Sequence, residues 1–77
     1  MKIDVNGKNV VMTGIGPQPR KNLVELLEQD GASIQSMVDD ETDLLICADP
    51  SKNTIKLQKA RDAGILIVGY DEVFDER

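Results

Sequence analysis

The sequence predicts an α/β domain with the element order β-α-β-β-α-β-α and mainly parallel central strands. Three observations predict it. The apolar runs Val10-Val11-Met12, Leu44-Leu45-Ile46-Cys47-Ala48 and Ile65-Leu66-Ile67-Val68 are unbroken rather than alternating, as in strands covered on both faces. Leu23, Leu26 and Leu27 fall at i, i+3 and i+4, the spacing of an amphipathic helix. Gly31 and Gly64 stand where the two longer helical stretches must stop.

Residues 1–5 read as a lead-in and 6–77 as one domain, with Asn6-Gly7 as a turn before the first strand. That strand ends at Thr13-Gly14, and Pro17 and Pro19 stiffen the following loop and suit the start of a helix. The helix spans Arg20 to Gln29, with Val24 widening its apolar stripe. Ala32 to Val38 alternates only partly, with Ile34 on one side, which predicts a short strand near a sheet edge. Asp39 to Asp43 is an acidic loop, and Leu44 to Ala48 an interior parallel strand. Asp49-Pro50-Ser51 breaks it, and Ser51 or Asn53 caps a helix from Asn53 to Ala63 that turns Ile55, Ala60 and Ala63 inward. Ile65 to Val68 is the third buried strand, and Gly69 to Arg77 ends in a short helix docking Val73 and Phe74.

Composition narrows the function classes. A chain of 77 residues, 40% hydrophobic and 30% charged, suits one small globular domain with a stability of about 4–11 kcal/mol. Tyr70 and Phe74 are its only aromatics, too few for a series of base-stacking platforms. Cys47 is the single cysteine and there is no histidine, so neither a disulfide nor a zinc site is expected, and Cys47 reads as a buried core residue in a reducing compartment. No run of about 18 apolar residues or signal-peptide core is present, and the chain reads as cytoplasmic, nucleoid-associated if bacterial, with no membrane partner. The net charge of −5 argues against a general nucleic-acid coat. Charge is nonetheless segregated: residues 51–61 hold Lys52, Lys56, Lys59 and Arg61 and no acid.

The working end falls at Thr13-Gly14. A strand, a glycine-bearing turn and a helix start present backbone N–H groups and a positive dipole end to an anion, although the same residues also suit an ordinary turn. Lys52, Lys56 and Lys59, at i, i+4 and i+7, line one helix face. Such a stripe serves solubility, or it converges with Arg20 on a phosphate, which needs hydroxyl, N–H, guanidinium and ammonium donors. Catalysis lacks its parts: there is no histidine, the thiol reads as buried, and no carboxylate pair ends an apolar strand. Asp39-Asp40 follows an edge strand in a chain too short for a receiver domain. Gly14 and Gly16 lack the third glycine of a dinucleotide fingerprint, since Pro19 takes its place.

The order of Gly7-Lys8-Asn9-Val10-Val11-Met12-Thr13-Gly14, Arg20, Gly31, Thr42-Asp43-Leu44-Leu45-Ile46, Lys56-Leu57-Gln58-Lys59-Ala60 and Gly64-Ile65 resembles a BRCT domain over residues 6–76. The resemblance is nearest the branch in bacterial NAD-dependent DNA ligases and the large subunit of replication factor C. It implies a four-stranded parallel sheet flanked by three helices in three layers, no catalysis, no cofactor and no metal. It further implies a DNA replication or repair module that binds DNA at a 5′-phosphate end. The alternative is docking on a replication or repair protein, or reading a phosphopeptide. Carried over by position, Thr13 supplies a hydroxyl, Gly14 an N–H, Arg20 a bidentate contact and Lys56 an ammonium group, with Lys59 on the DNA backbone. Lys21, beside Arg20, is the alternative for its role.

Overall fold

The computed structural model describes residues 3–14, 16–48 and 55–74. Its elements follow the predicted order: β1 (Asn9–Thr13), α1 (Arg20–Gln29), β2 (Ser33–Gln35), β3 (Leu44–Cys47), α2 (Ile55–Asp62), β4 (Leu66–Gly69) and α3 (Tyr70–Val73). The four strands form one parallel sheet in the order β2-β1-β3-β4. The chain thus moves outward from β1 to one edge and from β3 to the other. Right-handed crossovers in opposite directions place α1 and α2 on opposite faces.

Alternation along the strands sorts the core accordingly. Val10, Met12, Leu44, Ile46 and Val68 pack with Leu23 and Leu27 of α1 and with Tyr70, Val73 and Phe74 at the C-terminal end. Val11, Leu45 and Cys47 pack with Leu57 and Ala60 of α2 on the other face. Val5, ahead of the first strand, is buried in the first cluster, so the end of the lead-in contributes to the core.

Three expectations need correction. The second strand is three residues long, because the chain after Gln35 turns to bring Thr42 back, where its hydroxyl donates to Gln35 Oε1 at 2.6 Å. Ile55 and Ala63 are exposed, and Leu57 and Ala60 face the sheet instead. Ile55 lies two positions from Leu57, about 200° around the helix, and Ala63 lies beyond its last turn. The fourth strand is an edge strand, not a fully buried one. By alternation Leu66 shares the face of Val68, but α3 covers only the far end of the strand, and Leu66 is 55% exposed.

The acidic loop is tied down through its carboxylates. Asp43 Oδ2 accepts from the Asn9 N–H at 2.9 Å and Asp39 Oδ1 from the Glu41 N–H at 2.8 Å, while the Asn9 side chain donates to the Glu41 carbonyl at 2.8 Å. The break at Asp49-Pro50, the caps Ser51 and Asn53, and Lys52 of the lysine stripe lie outside the described residues. No helix among the described residues is long and apolar enough to cross a membrane.

Candidate functional site

Parallel strands all deliver their carboxyl ends to one edge of the sheet, so the turns after β1 and β4 become neighbours there. Thr13 ends β1 half-buried, and Gly14 follows with φ +81°, in the left-handed region. The chain then reaches Pro19, which precedes α1 in extended conformation (φ −52°, ψ 141°) and carries no side-chain cap. The first turn of α1 holds no acid. Its N–H groups and dipole end are therefore uncompensated by any carboxylate of their own helix.

Arg20, the first residue of that turn, reaches back over the sheet edge, its Nη1 3.5 Å from the Met12 carbonyl oxygen, a long contact. Such a weak bond leaves the guanidinium fork available to a stronger acceptor. From the other side Tyr70, which opens α3, donates its phenol hydroxyl to the Thr13 carbonyl at 3.2 Å. Its ring stacks on Phe74 at a centroid distance of 6.2 Å. Between them lies a cleft of about 240 Å³, with Gly14, Gly16 and Gln18 along the loop, Pro19 and Arg20 at the helix start, and Leu23 and Tyr70 as its apolar walls. Gly16 fits because it has no side chain: a Cβ there would stand 2.7 Å from Leu23 Cδ1 and 2.9 Å from Tyr70 Cε1.

Of the residues expected at a phosphate pocket, the fold brings Gly14 and Arg20 into this cleft and sets Thr13 directly beside it. Lys21 is exposed and is not among the cleft's lining residues. Lys56 is half-buried in α2, which packs against the opposite sheet face. Lys59 lines a separate cleft of about 370 Å³ with Val38, Asp39, Asp40, Asp62 and Ala63. The lysines and Arg20 therefore do not share one pocket.

Tyr70 is the site residue that sequence reasoning missed, while Gly16, expected in the turn for its backbone freedom, lines the cleft without a positive φ. The available signal was position: a lone tyrosine immediately after a strand, in an α/β fold that gathers strand ends. Burial pushes the Tyr70 phenol above its ordinary value of 10.0, the Arg20 guanidinium pulls it partly back, and Cys47 adds a smaller upward push. A spectrophotometric titration should therefore find this single tyrosine ionising above 10.0, and higher still in Arg20→Ala. The unfolded chain ionises first as pH rises, so this group's contribution to stability is complete below the unfolded value and disappears as pH climbs through the folded one. An unshifted titration in the wild type would contradict the burial of the ring, and no further rise in the variant would contradict the placement of Arg20 beside it.

The family model for the BRCA1 C Terminus (BRCT) domain matches residues 4–76, nearly the whole chain. The chain belongs to the BRCT family. It is 36% identical over 73 residues to a DNA ligase of Prochlorococcus marinus, covering 94% of this chain and 10% of that one. It is 41% identical over 69 residues to a DNA ligase of Brachyspira hyodysenteriae, covering 88% of this chain and 10% of that one. The chain thus spans about a tenth of the length of these relatives. The fold is that of the C-terminal BRCT domain of human XRCC1, with a TM-score of 0.70 at 17% identity over 88% of this chain and 72% of the other.

Proposed function

We propose that this BRCT domain is a non-catalytic DNA-binding module of replication or repair that holds a 5′-phosphate end in the cleft between β1 and α1. The observation that carries this reading is the Arg20 guanidinium poised over an uncapped helix start beside Gly14. Together they supply a bidentate cation, backbone donors and a positive dipole end at one point. The similarity to DNA ligases adds support from context. Thr13 contributes its hydroxyl from the strand end, and Lys56 approaches the duplex from the start of α2. Lys59, with Asp39, Asp40 and Asp62 around its cleft, adds only to the attraction for the DNA backbone. Any chemistry on the end belongs to other parts of a longer protein or to a partner.

With two or three phosphates contacted, binding to a short duplex should be weak, with a salt slope of about −2 to −3. The test is an NMR titration of the labelled domain with a duplex bearing a recessed 5′ phosphate, beside the same duplex ending in a 5′ hydroxyl. Shifts at Thr13, Gly14 and Arg20 that require the phosphate are expected. Lys56→Ala should weaken the phosphate-bearing complex and leave the melting midpoint nearly unchanged. Equal responses to both duplexes would overturn the end-binding reading in favour of docking on a replication or repair protein, or of phosphopeptide recognition.

A further inference from the structure

We propose that Tyr70 is a positioning residue of the phosphate site: its hydroxyl holds the Thr13 carbonyl so that the end of β1 presents the Thr13 hydroxyl and the Gly14 N–H to the bound 5′ phosphate. This inference rests on the proposed function and adds a residue to it from the far end of the chain.

The geometry gives the phenol a specific task. A parallel strand's last carbonyl points along the sheet, and the turn after it is free to reorient. Here the carbonyl of Thr13 accepts from Tyr70 across 57 positions of sequence at 3.2 Å. Thr13 ends β1, whereas Tyr70 opens α3 directly after β4, a strand separated from β1 by β3. The bond therefore fixes the site strand to α3 directly, rather than through the sheet ladder.

Everything around the ring keeps it in place. Tyr70 is only 7% exposed, Phe74 stacks on it, and Gly16 leaves the space its edge occupies. The Glu72 carboxylate of the same helix accepts from the Gly69 N–H at 2.7 Å, setting the angle at which α3 leaves β4. A ring so confined has little freedom to lose when ligand arrives, and its hydroxyl has a fixed partner. Ligand contacts fall to Arg20, Gly14 and Thr13, and Tyr70 acts through Thr13.

The test is Tyr70→Phe, which removes the hydroxyl and keeps the ring, read as the ratio of affinities for the 5′-phosphate and 5′-hydroxyl duplexes. The ratio should fall about three- to ten-fold, the effect of one neutral hydrogen bond. Affinity for the 5′-hydroxyl duplex should stay unchanged, and the ligand-free amides of Thr13 and Gly14 should shift. Phe74→Leu, which destabilises the same cluster without touching that bond, should lower the melting midpoint and leave the ratio as it is. A wild-type preference retained in full by Tyr70→Phe would overturn this inference and leave the proposed function standing. A ratio lowered equally by Phe74→Leu would reduce Tyr70 to a packing role. A wild type with no preference for the phosphate would overturn both.

Discussion

Leu45→Ala is expected to remove about 2–5 kcal/mol of stability, a large part of the roughly 4–11 kcal/mol available to a domain of this size. Leu45 is fully buried on β3, paired with Val11 of β1 on one side and Ile67 of β4 on the other. It sits in the smaller of the two core clusters, whose other buried members are Val11, Cys47, Leu57 and Ala60. Val38, Ile65 and Ile67 pack against this cluster from its rim, and Leu57, Ile65 and Ile67 are the long side chains that set how far the space can close. At about 4–8 °C per kcal/mol, the melting midpoint should fall by roughly 10 °C or more. Leu66→Ala is the control within the same sheet: that leucine is 55% exposed on an edge strand, and its loss should cost under about 1 kcal/mol. Equal midpoints for the two variants would contradict the strand order.

The contrast between these two leucines also shows where the sequence was legible. Unbroken apolar runs mark strands, and all three runs identified by that pattern are strands of the sheet. The run Ile65-Leu66-Ile67-Val68 does not reveal that its strand is an edge, because hydrophobicity does not encode neighbour order. That order follows from the direction of each crossover, a property of the packed whole. The same limit explains α2. Ile55 is more hydrophobic than Ala60, yet the sheet selects the face bearing Leu57 and Ala60.

The site was legible in part for a related reason. Thr13, Gly14 and Arg20 lie within one strand, turn and helix, so their proximity is local, and the fold keeps it. Lys56 and Lys59 are joined to them only by charge and by the family resemblance. Their actual place depends on which sheet face α2 covers. Tyr70 was invisible for the opposite reason: its link to Thr13 exists only once strand ends from opposite halves of the chain meet.

Gly14→Val should damage folding and binding together, and its two causes can be separated. The backbone at Gly14 has φ +81°, where a β-branched residue is strained. The register that pairs Thr13 with Cys47 also brings Gly14 against Ala48: a Cβ would stand 2.9 Å from the Ala48 Cβ and 3.3 Å from its backbone nitrogen. That nitrogen cannot move without disturbing the end of β3. We expect a loss of about 2 kcal/mol or more, and no phosphate-dependent shifts even at a temperature where the variant remains folded. Gly7 supplies the comparison, with φ +75° and nothing within 4 Å of a Cβ position. Gly7→Ala therefore carries the conformational cost alone, whereas Gly14→Ala carries that cost plus the contact with Ala48. The difference between their melting midpoints measures how closely the ends of β1 and β3 approach. If Gly14→Ala proved no more destabilising than Gly7→Ala, the strand ends would be farther apart, and the turn after β1 would lack the close packing that the proposed phosphate site requires.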